Sequence, residues 1–339
     1  MDFIGALVAT DGCLDHLGSG LLYFCRSLAT TSPDRRLKAQ ARTIGRTAFA
    51  HWQSTMWDAD TADPDAAWWI AELVRGYAAG EDLGVRSASV KRWLAAQVRR
   101  FAVDDFLMFD PRHEAPPSGC SDECACGANN PRGRSVCVNR DCRAPLTRMS
   151  RWRLWCNAFT GAYCAERYGV PLRVRYRDVV RWLPAMRPYR VDGRTSRATF
   201  YDIAYTITHL VYTLNDYGRY RLDPAWLPWE YAFLRAYVDT AIACDDPDLV
   251  GEFLDALRAF GQADDDAAIA RAYDYVLGAQ NADGSWGAWD AKTLYTGFHA
   301  TWAAVDGLRE FDWQGPALFW PDLAPSLARW ARIDYGARA

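Results

Sequence analysis

Lysine is nearly missing from this chain: Lys38, Lys91 and Lys292 are three of 39 basic residues, the rest being arginine. The bias marks GC-rich coding rather than a function, and against 42 acidic residues it leaves a formal net charge of −3. A chain so balanced offers no polybasic surface for bulk capture of nucleic acid or acidic membrane. It also lacks any run of 18 apolar residues, which argues against a transmembrane segment. Its first residues, MDFIGALVATDG, carry an acid where a secretion signal carries a basic segment, so the expected location is intracellular, in the cytoplasm. Strand signals are scarce, which argues against a sheet-based fold.

What is abundant is apolar and aromatic. Half of the 339 residues are hydrophobic and 24% are charged, the balance of a globular rather than a disordered protein. Sixteen Trp, 17 Tyr and 14 Phe imply either a thick aromatic core or an aromatic-lined pocket. Apolar residues recur with helical period between breakers along the whole chain. The pattern predicts helices over 13–29, 34–57, 66–80, 87–107, 148–168, 173–184, 196–217, 228–243, 247–260, 265–279, 292–308 and 323–334. Six outer and six inner helices can close into a ring, so the expected fold is all-α, one (α/α)6 toroid domain over 1–339 with an axial cavity. The stretch 110–147, rich in Pro, Gly and Cys, interrupts the helices and reads as an inserted loop.

After the helix at 265–279 comes YVLGAQNADGSWG, then WDAKTLYTGFHATWAAVDGL. Gln280, Asp283, Gly284, Ser285 and Trp286 resemble the QW motif of the terpenoid cyclase and protein prenyltransferase superfamily. That resemblance implies an α/α toroid, with Gln280 against Trp286 at a junction between an outer and an inner helix. It also implies that His299 matches the position of a zinc ligand in the prenyltransferases. The chain departs from both branches: it has no D-x-D-D acid motif, and Cys244-Asp245-Asp246 reverses the order of the prenyltransferase D-x-C pair.

Two segments share one pattern. Tyr205, His209, Tyr212 and Asp216 stand at offsets 0, 4, 7 and 11, as do Tyr295, His299, Trp302 and Asp306. Steps of three and four place each set on one stripe of a helix, and both helices have the parity of inner ones. Stacking positions in a repeat would explain the doubling by packing alone. In a cavity, the two imidazoles suit a second Zn or a Cu ion. Alternatively, His and Asp serve as general acid and base with tyrosine donors, or the rings stabilise carbocations. His51, with Asp58, has outer parity.

Cys120, Cys124, Cys126, Cys137 and Cys142 follow the spacing C-x3-C-x-C-x10-C-x4-C, and CVNRDCRAPL resembles one knuckle of a zinc ribbon. Four thiolates on a loop without a core of its own predict a structural Zn site, which would supply folding free energy. An iron–sulfur cluster or a reactive thiol is the alternative. Cys13, Cys25, Cys156, Cys164 and Cys244 stand singly on helices as small hydrophobes.

Three functions follow as expectations. The first is a cyclase-like enzyme that rearranges a hydrophobic or aromatic small molecule, with the two histidines, Asp216 and Asp306 moving protons. The second is a metal-dependent enzyme of hydrolysis or oxidation, with His209 and His299 as ligands. The third is a non-catalytic toroid that binds a ligand or partner through the cysteine loop.

Overall fold

The computed structural model describes residues 2–10, 13–57, 67–117, 120–121, 136–144, 148–261, 266–289 and 294–335. The described residues form helices joined by turns and loops, with two strands of two residues each. The first unit comprises Met1–Ala59, Gly76–Arg86 and Ile207–Ala339; the second comprises Asp60–Arg75 and Ser87–Thr206. No helix among the described residues is long and apolar enough to cross a membrane.

The first unit begins with α1 (Asp2–Ala9), which the helical pattern had not included, then α2 (Cys13–Thr31) and α3 (Arg35–Trp57). Helix α2 is bent at Gly18, whose φ of 52° and ψ of −146° no helix accommodates. The end of α4 (Ala67–Asp82) and of α10 (Arg197–Leu214) belong here, followed by α11 (Pro228–Ala243), α12 (Pro247–Ala259), α13 (Ala267–Gly278), α14 (Leu294–Leu308) and α15 (Ala324–Ala331).

Helix α12 is the centre of this unit. Its start is written in the sequence: Asp246 caps the end through Asp248 N–H, Pro247 supplies a fixed φ at the first turn, and Asp248 faces the positive helix terminus. Every residue from Leu249 to Ala259 is buried, Glu252, Asp255 and Arg258 included. Helices α12 and α14 meet through glycine. A Cβ on Gly251 would come within 2.6 Å of the Ala303 carbonyl, and one on Gly307 within 2.8 Å of the Gly251 oxygen. Only backbones without side chains approach so closely.

Helix α10 is followed by Asn215, Asp216, Tyr217 and Gly218. The last three all have positive φ, at 55°, 54° and 89°, and Asn215 Oδ1 accepts the Gly218 N–H at 3.0 Å. The expected helix to 217 therefore stops at 214, because right-handed geometry fails at 216.

The second unit holds the start of α4, then α5 (Ala88–Val98), α6 (Val103–Leu107), α7 (Arg151–Tyr168), α8 (Tyr176–Val180), α9 (Leu183–Met186) and the start of α10. The single helix expected over 87–107 is two, α5 and α6, and that over 173–184 is also two short helices. Two short strands, β1 (Cys120–Ser121) and β2 (Arg148–Met149), pair antiparallel. They frame most of the inserted loop.

Of the loop cysteines, Cys124 and Cys126 lie outside the described residues and Cys120 is described by its backbone alone. Cys137 and Cys142 lie on a closed turn. Cys137 N–H reaches Ala144 O at 2.9 Å, while Cys142 and Arg143 N–H both reach Asn139 O at 3.1 Å. Cys25, Cys156 and Cys164 are buried on helices as expected, whereas Cys244 is half-buried. Burial pushes the Cys25 thiol up to about 12, so it is an inert apolar group.

Candidate metal centre

The acids of α12 at offsets 0, 4 and 7, namely Asp248, Glu252 and Asp255, share one helix face. A carboxylate in a buried helix needs partners, and the two histidine stripes supply them. From α14, His299 Nδ1 stands 2.8 Å and 3.0 Å from the two oxygens of Asp248. From α10, His209 Nδ1 stands 3.5 Å from Glu252 Oε2. The Thr208 hydroxyl donates to that same oxygen, and Tyr212 donates from its hydroxyl to the Glu252 backbone carbonyl at 3.1 Å. The two imidazoles thus converge on carboxylates one helical turn apart.

One oxygen each from Asp248 and Glu252 and one ring nitrogen of His299 lie within 4.8 Å of one another. Glu252 is deep, while the side chains of Asp248 and His299 are 15% and 23% exposed. The cluster therefore reaches solvent at one end. Aromatic rings flank that end: His299 lies between Tyr295 at 5.8 Å and Trp302 at 5.7 Å, centroid to centroid. Tyr295 is 47% exposed.

The remaining residues of the stripes do other work. Tyr205 belongs to the second unit, where the Arg153 guanidinium sits 5.1 Å from its ring. Tyr212 is buried, and burial together with the acids around it holds its hydroxyl well above the usual phenol range. Asp216 accepts from the buried Arg26 at 2.9 Å, and Arg26 also bonds Asp82 at 2.6 Å. Asp306 accepts from Trp302 Nε1 at 2.7 Å and from Arg309 Nε at 2.6 Å. Arg309 reaches on to Ser27 and Thr31 of α2. In both stripes the histidine faces an acid of α12 and the aspartate holds an arginine. His51, on α3, is half-buried, and its backbone carbonyl accepts from Ser54 and Thr55.

Asp248, Glu252 and Asp255 were not among the candidate residues read from the sequence. The segment PDLVGEFLDALRA places the three acids on one helix face, but only the burial of that helix distinguishes them from surface acids. Asp255 is buried, and its Oδ1 has no hydrogen-bond partner among the described residues. Burial and the nearby Asp306 carboxylate outweigh Arg309 and Arg258 and hold the Asp255 carboxyl well above its ordinary range.

For His299, burial opposes the charged ring, but the Asp248 carboxylate overrides it and lifts the imidazole to about 10 from its ordinary 6.5. In the metal-free protein the folded state therefore keeps a proton that the unfolded chain releases above pH 6.5. The pair's stabilisation is full below that pH and is lost as pH rises through about 10. Urea denaturation between pH 6 and 10 is expected to show stability falling with pH, with part of that slope absent from His299→Gln. An identical slope in the two proteins would contradict the pairing.

Residues 193–297 match the profile of a domain of unknown function, DUF6895. The matched segment includes His209, Asp248 and Glu252 and stops two residues short of His299. No curated protein and no solved structure shows significant similarity to the chain.

Proposed function

We propose that the first unit is a metal-dependent enzyme. Asp248, Glu252 and His299 hold one divalent cation, and the rings beside it receive a hydrophobic or aromatic small molecule for hydrolysis. The observation that carries this reading is the convergence of the three ligating groups within 4.8 Å from two helices locked together by glycine. Two carboxylates and one imidazole suit Mn²⁺ or Zn²⁺, and three protein donors leave positions open for water, whose pKa a bound cation lowers. Tyr295, half-exposed beside His299, supplies an apolar face for the substrate.

Mn²⁺ titration followed by electron paramagnetic resonance tests the site, because manganese favours oxygen and nitrogen donors over the thiolates of the cysteine loop. A structural Zn on those thiolates, as the sequence suggests, would be silent in this measurement. One Mn²⁺ is expected per chain, with binding abolished in Asp248→Asn and Glu252→Gln. Unchanged binding in both variants would overturn the assignment. A cyclisation of the kind the Gln280–Trp286 resemblance implies is favoured instead by one feature, the buried acid Asp255. Turnover that survives exhaustive chelation and is lost in Asp255→Asn would select that reading.

A further inference from the structure

Glu252 is 3% exposed, and its Oε2 is engaged from α10 by two groups. The Thr208 hydroxyl donates to it, and His209 Nδ1 lies 3.5 Å away. Thr208 Oγ1 is also 3.4 Å from His209 Nδ1. The hydroxyl and the imidazole nitrogen thus both stand against the Glu252 oxygen that faces α10. Tyr212 holds the backbone of the same residue through the Glu252 carbonyl.

We infer that Thr208 and His209 are positioning residues for the cation site: by holding Oε2 they orient Glu252 so that its other oxygen serves the ion. The inference rests on the proposed metal centre. It changes the role expected for His209, which acts through Glu252 and not as a ligand. Groups that orient a ligating carboxylate typically contribute 10–100-fold to metal affinity.

The test is Mn²⁺ affinity of the full chain, read by paramagnetic resonance with the thermal midpoint measured alongside. His209→Ala and Thr208→Val are each expected to weaken binding by about 10–100-fold, whereas Glu252→Gln abolishes it. His209→Asn, whose amide nitrogen stands near the place of Nδ1, and Thr208→Ser are expected to restore most of the affinity. If His209→Ala fails to fold, Thr208→Val and Thr208→Ser read the same claim. Wild-type binding with unchanged affinity in His209→Ala and Thr208→Val would overturn the positioning role while leaving the metal centre intact. Complete loss in His209→Ala without rescue by His209→Asn would make His209 a ligand and also overturn it. No Mn²⁺ binding by the wild-type chain would reject the metal centre itself, and the positioning role with it.

Discussion

Trp286→Ala is expected to lower the free energy of unfolding by about 3–5 kcal/mol, the cost of truncating a buried tryptophan. The indole is 4% exposed, and its Nε1 donates to the Val276 carbonyl of α13 at 2.7 Å. The Trp286 backbone N–H donates to Thr301 Oγ1 of α14 at 3.0 Å. One residue therefore ties two consecutive helices together, and its loss leaves both a void and an unpaired carbonyl. The turn around it is built to hold that position. Asp283 Oδ1 accepts from the Ser285 N–H at 3.0 Å and from its hydroxyl at 2.6 Å, and Gly284 and Gly287 take φ of 85° and 77°. Trp286→Phe keeps most of the apolar volume and forfeits the hydrogen bond, so it is expected to cost clearly less than the alanine variant. Equal denaturant midpoints for wild type and Trp286→Ala would show that the indole is not a structural anchor.

Gly251→Ala is expected to destabilise by about 1–3 kcal/mol, although alanine is the better helix former. The added methyl would sit 2.6 Å from the Ala303 carbonyl carbon and oxygen and 2.8 Å from the Ala304 nitrogen. These are backbone atoms of α14 and cannot rotate away, so the two helices must part. The separation reaches the site as well: Asp248 and His299 lie on opposite sides of that contact, and the 2.8 Å pair between them lengthens. His299 is then expected to titrate closer to 6.5 than to 10, observable in its ring carbon resonances. Gly278→Ala is the control. Nothing lies within 4 Å of a Cβ there, and the change is expected to be neutral or to stabilise by up to about 1 kcal/mol. Equal effects at both positions would show that helix propensity, and not the close approach, decides the outcome.

The helical content of the chain was legible because period and punctuation agree. Asp246-Pro247 announces the start of α12, and the glycine at 169 marks the end of α7 with a φ of 79°. Boundaries failed where local geometry overrode the apolar pattern. The stripe through 216 reads as continuous helix, yet Asp216 and Tyr217 are drawn into left-handed conformations, with Asp216 paired to Arg26. Nothing in the spacing of the sequence marks a partner 190 residues away.

The site was legible by halves. The duplicated stripes singled out His209 and His299, because aromatic and imidazole side chains at steps of three and four stand out against an apolar helix. Their counterparts did not stand out. Asp248, Glu252 and Asp255 look like ordinary polar positions until the helix proves to be buried from Leu249 to Ala259, and burial is set by neighbours that a single sequence does not reveal. The aspartates of the stripes were read as proton carriers. The structure gives each of them a guanidinium, from Arg26 and Arg309, which are far from them in the chain or outside the pattern.

The most direct measurement of the central claim is pulsed paramagnetic resonance on the Mn²⁺-loaded chain, which detects nitrogen nuclei bonded to the ion. One imidazole ¹⁴N coupling is expected, which disappears in His299→Gln and persists in His51→Gln, since among the described residues the cluster comprises Asp248, Glu252 and His299. A bound ion with no nitrogen coupling, or a coupling unchanged in His299→Gln, would contradict it.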